Sequence, residues 1–295
     1  MSRIHEAVKK AVLEQQPAAA ATMSSVEGIL AASYTLTTAV PSAPASAGVS
    51  DRPAHGPELL QSLPVSEWTP DKKRMVFWTE DADAPGREQF RSLRIRLNQL
   101  REKRDLSVIS VASTLSGEGK SFVAANLAHA LSLQREQRVL LIDCDLRRGS
   151  VAGFLGTRSA PGLAEYLRGE EPLESVVLRD AGSNLFVVPS GARVSDPGEL
   201  IGSLRMREIL SRLRPLFDWI VIDTPPAVQF ADAGMITDLC DGVLMVLGSG
   251  QTPVQLAKRA VHNLREDRIL GIVLNRAEDA DQAAKYFSYY KPSEG

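Results

Sequence analysis

Cysteine is scarce in this chain: Cys144 and Cys240 are the two present, far apart and each among apolar neighbours. That excludes a disulfide framework and a thiolate zinc site, and it fits a reducing compartment. Histidine is almost as scarce, and His5, His55, His129 and His262 share no ligand spacing. No apolar run approaches the roughly 20 residues needed to span a bilayer, and no apolar signal core follows Met1. An exported or membrane-spanning chain is therefore not expected. Charge of one sign is also missing: 34 Lys and Arg face 36 Asp and Glu, a net charge of −2, with no dense basic run. Nucleic acid is accordingly not expected as a partner.

What is present suits one α/β domain with flanking sequence, since the 295 residues are 44% hydrophobic and 24% charged. Residues 1–16 can form a short amphipathic helix with Ile4, Ala7, Val8, Ala11 and Val12 on one face. Residues 17–70 are rich in Ala, Ser, Pro and Thr, bury too little apolar surface to offset ordering entropy, and read as a disordered linker. Residues 71–275 carry the main domain and 276–295 a C-terminal tail. Within the domain, a helix is expected over Arg87 to Arg104. After it, short β-branched apolar runs begin at Val108, Val139, Leu185, Trp219, Val243 and Ile269. They alternate with helical stretches at Ser121 to Leu133, Leu163 to Leu167, Glu199 to Leu213 and Pro253 to Leu264. Continuously apolar strands separated by helices predict a mostly parallel sheet covered on both faces, with ligands beyond the carboxyl ends of the strands.

The first of these strands runs into Thr114-Leu115-Ser116-Gly117-Glu118-Gly119-Lys120-Ser121 and then into helical Phe122-Val123-Ala124. This is the strand, loop and helix context of a P-loop NTPase. Backbone N–H groups from Ser116 to Phe122 can cradle phosphates, the helix N-terminus adds its positive dipole end, Lys120 can reach the β and γ oxygens, and Ser121 can ligate Mg²⁺. Thr114 replaces the first glycine of the usual pattern. Two further strands end in acid. Asp143-Cys144-Asp145-Leu146-Arg147 supplies two carboxylates and a cation, and Asp223-Thr224-Pro225-Pro226 places Asp223 where an NTPase holds Mg²⁺. A single Asp in such a place also serves as a turn or helix cap. ATP and Mg²⁺ are the expected cofactors. Because no buried core was expected to be disturbed, Lys120→Met should leave the fold intact.

Taken together, Ser116 to Ser121, Asp143-x-Asp145-x-Arg147 and Asp223-x-Pro225-Pro226 resemble the motifs of the bacterial tyrosine kinases of capsule and exopolysaccharide synthesis. The resemblance covers roughly Glu88 to Tyr290. It implies that Asp143 and Asp223 help hold Mg²⁺ and that Asp145 takes the proton of the attacking tyrosine, with Lys120 and Arg147 balancing charge. It also implies that Glu88, Arg91 and Arg94, one polar stripe on a helix, form the contact of a ring-shaped homo-oligomer; without it the stripe reads as a solvated face. Asn275 corresponds to an adenine-side residue, and its other reading is a cap. Tyr286, Tyr289 and Tyr290 correspond to a C-terminal autophosphorylation cluster. By the same resemblance, a membrane chain-length-determinant protein activates the kinase through a cytoplasmic tail. That would hold this chain in the cytoplasm, peripheral to the inner face of the plasma membrane. Two other functions share the motifs. One is a partition or septum-site switch ATPase, whose early P-loop lysine would fall where Leu115 stands. The other is a catalytically silent nucleotide-binding scaffold.

Overall fold

The computed structural model describes residue 60 and residues 63–79, 86–134 and 136–277. The expected amphipathic helix at 1–16, most of the expected linker and the tail tyrosines lie outside them. An eight-stranded sheet organises the rest: β1 (Val65–Ser66), β2 (Val108–Ser113), β3 (Val139–Asp143), β4 (Leu178–Asp180), β5 (Leu185–Val188), β6 (Trp219–Asp223), β7 (Gly242–Gly248) and β8 (Ile269–Asn275). Their spatial order is β1-β4-β5-β3-β6-β2-β7-β8. Every pairing is parallel except β4 with β5. The six apolar runs all became strands. β1 and β4 were not anticipated, because two or three residues carry no readable period. β1 also falls within the stretch assigned to the linker, so the sheet begins before residue 71.

Side chains alternate across the strands and both faces are filled. Leu140 and Ile142 of β3 and Ile220 and Ile222 of β6 pack into one core, whereas Leu141, Trp219 and Val221 point into the opposite one. Helix α1 (Arg87–Arg101) precedes β2, and α2 (Lys120–Ser132) follows it directly. Every residue of α2 except Phe122 is buried, the pattern of a helix wrapped by core on all sides. Short helices α3 (Val151–Leu155), α4 (Leu163–Arg168) and α5 (Leu173–Val176) lead to β4. The single helix expected over Glu199 to Leu213 is two, α6 (Pro197–Ile201) and α7 (Leu204–Leu213). Ser203 divides them: its hydroxyl donates to the Leu200 carbonyl at 2.6 Å and accepts from Met206 N at 3.4 Å, ending one helix and capping the next. Helices α8 (Asp232–Thr237) and α9 (Val254–Asn263) complete the described chain.

Ahead of α1, residues 69–79 form a strap across α2. Asn126, fully buried in α2, accepts from Val76 N at 2.8 Å and donates to the Arg74 carbonyl at 2.8 Å, while Met75 between them is fully buried. Arg87 holds the far end through the carbonyls of Val76 (2.9 Å), Phe77 (3.3 Å) and Thr79 (2.7 Å). Beneath it, the His129 ring lies 3.8 Å from that of Trp78 and 5.5 Å from that of Phe77. Burial, followed by the nearby Arg87 charge, lowers the His129 pKa from 6.5 to about 4. The folded state therefore binds this proton less readily than the unfolded chain does. Its contribution is complete above pH 6.5 and is lost as pH falls toward 4, by on the order of 3 kcal/mol. Denaturation midpoints measured between pH 7 and pH 4.5 should fall less steeply in His129→Phe than in the parent chain.

Candidate nucleotide site

Three adjacent strands, β3, β6 and β2, present their carboxyl ends side by side. Asp143 and Asp223 are register partners across β3 and β6, and β2, on the other side of β6, feeds the phosphate loop. Gly117 and Gly119 adopt φ of 90° and 94°, the left-handed region that lets the loop turn its amides inward. Gly119 is also pressed against Asn275: a Cβ there would lie 2.0 Å from Asn275 Nδ2. That amide donates to the Glu118 carbonyl at 2.8 Å, so the end of β8 closes over the loop. Glu118 turns its carboxylate away from the cleft, accepting from Leu115 N at 2.9 Å and from the Thr252 hydroxyl. Its carboxylate thus braces the loop.

The centre of the site is an ion cluster. Lys120 Nζ lies 3.0 Å from Asp145 Oδ2, 3.5 Å from Asp223 Oδ1 and 3.1 Å from Ser121 Oγ. Ser121 in turn donates to Asp223 Oδ2 at 2.6 Å. Burial alone would lower the Lys120 pKa, yet the carboxylates of Asp223 and Asp145 outweigh it and hold the ammonium above its ordinary value. Burial raises Asp223 against the pull of Lys120. Asp143 is pushed up to about 7, first by burial and then by the charge of Asp223. Its two oxygens face backbone: Oδ1 accepts from Asp145 N at 3.1 Å, and Oδ2 accepts from Ser150 N at 2.9 Å and Val151 N at 3.0 Å. Of the expected metal set, Ser121 and Asp223 are therefore directly joined, and Asp143 shapes the turn behind them. Asp223 Oδ1 is fully buried with the Lys120 ammonium 3.5 Å away, an oxygen suited to a cation. Among the described residues no three or more His, Cys, Asp or Glu form a complete metal cage. Mg²⁺ does not require one, since it takes one or two protein oxygens and fills its octahedron with water and phosphate.

Other expected residues are dispersed. Arg147 reaches away from the loop, donating to the Ser195 carbonyl and to Asp232 Oδ2, each at 3.1 Å, with its guanidinium 4.3 Å from the Phe230 ring. The neighbouring Arg148 takes the place by the loop, donating to Ser116 Oγ at 2.8 Å. Glu88 and Arg91 form an exposed pair at 3.5 Å, whereas Arg94 turns inward to the Ala130 carbonyl at 2.8 Å. Phe122 packs its ring 5.8 Å from that of Phe90. The cleft, about 540 Å³, is lined by the loop, Asp145 and Asn275, and by Arg74, Arg148, Phe154 and Arg276, to which the sequence assigns no role. Arg148 stood inside a recognised motif, but Arg74 and Phe154 belong to no spacing that points to the loop. Both cysteines are buried free thiols, Cys240 pushed up to about 12 by burial, and so are poor nucleophiles.

The AAA domain profile matches residues 106–265. Tyrosine-protein kinase YwqD of Bacillus subtilis is 32% identical over 190 residues, covering 64% of this chain and 80% of that protein. The chain belongs to the bacterial tyrosine kinase family. The crystal structure of the VpsO kinase domain superposes with a TM-score of 0.59 at 34% identity, covering 65% of this chain and 96% of that one. Succinoglycan biosynthesis transport protein ExoP of Rhizobium meliloti is 31% identical over 207 residues; the chain spans 68% of its own length there but 26% of ExoP. Among the described residues of this tyrosine kinase family member, no helix is long and apolar enough to cross a membrane.

The cluster changes one expectation. Lys120 is the cation that balances two buried carboxylates, so its loss is not structurally silent. Lys120→Met should cost about 3 kcal/mol at neutral pH, because Asp145 and Asp223 are left buried without their partner. The deficit should shrink in acid, because burial raises the Asp223 pKa and protonation removes the charge that Lys120 balances. Urea denaturation of both chains at pH 7.5 and pH 5 checks this, and an equal deficit at both values would refute it.

Proposed function

We propose that this chain is an ATP- and Mg²⁺-dependent tyrosine autokinase. It transfers the γ-phosphoryl group to Tyr286, Tyr289 and Tyr290 and thereby regulates exopolysaccharide or capsule synthesis and export. The observation that carries this reading is the Lys120 cluster at the mouth of β3, β6 and β2, with Asp145 beside the lysine and Asp223 bonded to Ser121. Ser121 and Asp223 would hold Mg²⁺, which would supply charge neutralisation to the transferring phosphate. Lys120 exchanges its carboxylate partners for phosphate oxygens. That exchange frees Asp145 Oδ2 to accept the hydroxyl proton as the tyrosine oxygen forms its bond to phosphorus, while the bond to the β,γ-bridging oxygen breaks and ADP departs. Amides of Gly117 and Gly119 hold the transferring group's neighbours in place, and positioning of this kind supplies most of the catalysis.

The partner consistent with the family is a membrane chain-length-determinant protein whose cytoplasmic tail activates the kinase and holds it at the inner membrane face. Glu88 and Arg91, exposed on α1, are the part of the stripe that supports a ring contact between copies, since Arg94 is held within its own chain by the Ala130 carbonyl. Purified chain incubated with ATP and Mg²⁺ should acquire phosphate on the three tail tyrosines, located by mass spectrometry. Phosphate released to solution with an unmodified tail would instead support a switch ATPase, and neither product a silent scaffold. Transfer should run between subunits. When Lys120→Met chains are mixed with chains whose tail tyrosines are Phe, phosphate should appear on the Lys120→Met tail; a silent mixture of co-assembled chains would overturn transfer in trans.

A further inference from the structure

Arg74 enters the nucleotide cleft from outside the 106–265 segment that carries the AAA match. It does so because the strap is held in register. The Asn126 carboxamide accepts from Val76 N and donates to the carbonyls of Arg74 (2.8 Å) and Phe122 (2.9 Å), which ties the strap to the first turn of α2, immediately behind the phosphate loop. Met75 is sunk into the core, so Arg74 emerges at a fixed place. A second seam sets its height: Asp71 N donates to the Phe154 carbonyl at 3.0 Å and Thr69 N to the Gly156 carbonyl at 3.4 Å. The Arg74 guanidinium then lies 5.3 Å from the Phe154 ring centre, on the cleft wall shared with Gly117, Gly119, Lys120 and Ser121.

The electrostatics point to an anion. Lys120 is already balanced by Asp145 and Asp223, at 3.0 and 3.5 Å, so the ammonium alone does not make the cleft positive. Positive charge on the rim comes from the arginines. Arg74 is paired with Asp71 at 3.3 Å in a contact whose two side chains are 59% and 35% exposed. Such an exposed pair contributes little and yields readily to a more highly charged anion. The planar guanidinium, already oriented by Phe154, is suited to bidentate contact with phosphate oxygens.

We infer that Arg74 is a phosphate-binding residue of this cleft, which Asn126 places there by fixing the strap, and that its ligand is the polyphosphate of a nucleoside di- or triphosphate. The inference rests on the nucleotide reading of the site. Calorimetric titration of the full chain with MgADP tests it. Arg74→Ala should weaken binding about tenfold, a loss that shrinks in high salt, and Arg74→Lys should fall between. Asn126→Ala should produce a comparable loss, and the double variant should bind no more weakly than the weaker single one, since both act through one contact. Additive losses would overturn the role given to Asn126. Parent chain that binds MgADP, combined with unchanged affinity in Arg74→Ala, overturns the assignment of Arg74 alone. A parent chain that fails to bind MgADP overturns the nucleotide reading and this inference with it.

Discussion

A buried ammonium among carboxylates is the constraint around which the molecule is arranged. Asp143 and Asp223 are wholly enclosed, and Asp145 nearly so, at the ends of two neighbouring strands. Without a cation they would repel one another in a medium that screens poorly. Lys120 supplies the charge, Ser121 a hydroxyl and the backbone at Ser150 and Val151 two donors, so the acids persist as a shaped group. The same arrangement explains why the site is reactive as well as stable. In the mechanism proposed above, phosphate oxygens replace the lysine's partners, and that exchange frees the Asp145 carboxylate to take a proton.

That cluster depends on strand order. Asp143 and Asp223 meet because β3 and β6 pair in parallel register, although 80 residues of sequence numbering separate them. The loop joins them because β2 pairs on the other flank of β6. Parallel pairing sends all three carboxyl ends to one edge, which is where the fold leaves room for a ligand. The strap adds a second layer. It is anchored by Asn126 behind the loop and by Arg87 at the start of α1, so it joins the helix bearing Glu88 and Arg91 to the wall bearing Arg74.

Much of this was legible in the sequence where signals are local and periodic. The long apolar strands, α2 and the phosphate loop announce themselves, because a continuous β-branched run followed by Gly-x-Gly-Lys-Ser fits few other structures. Short elements did not: β1 and β4 are held by neighbours rather than by their own residues. Within the site, the motif pointed to Arg147 as the cation, yet Arg147 faces Asp232 and Phe230 while Arg148 faces Ser116. Which of two adjacent arginines turns toward the loop is set by the path of the turn after β3, and spacing carries no record of that path. Arg94 shows the same limit, since its stripe on α1 is periodic but the Ala130 carbonyl that captures it belongs to α2.

The sequence by itself determined the fold class, the phosphate loop and the identity of the acidic residues, because these follow from hydrophobic period, glycine freedom and side-chain chemistry over a few consecutive positions. Tertiary structure alone decided that Lys120 is a buried cation among carboxylates, that Asp143 serves backbone donors, and that Arg74 lines the same cleft as the phosphate loop. Those outcomes depend on distances between segments remote in the chain, and such distances are fixed by packing and by strand register.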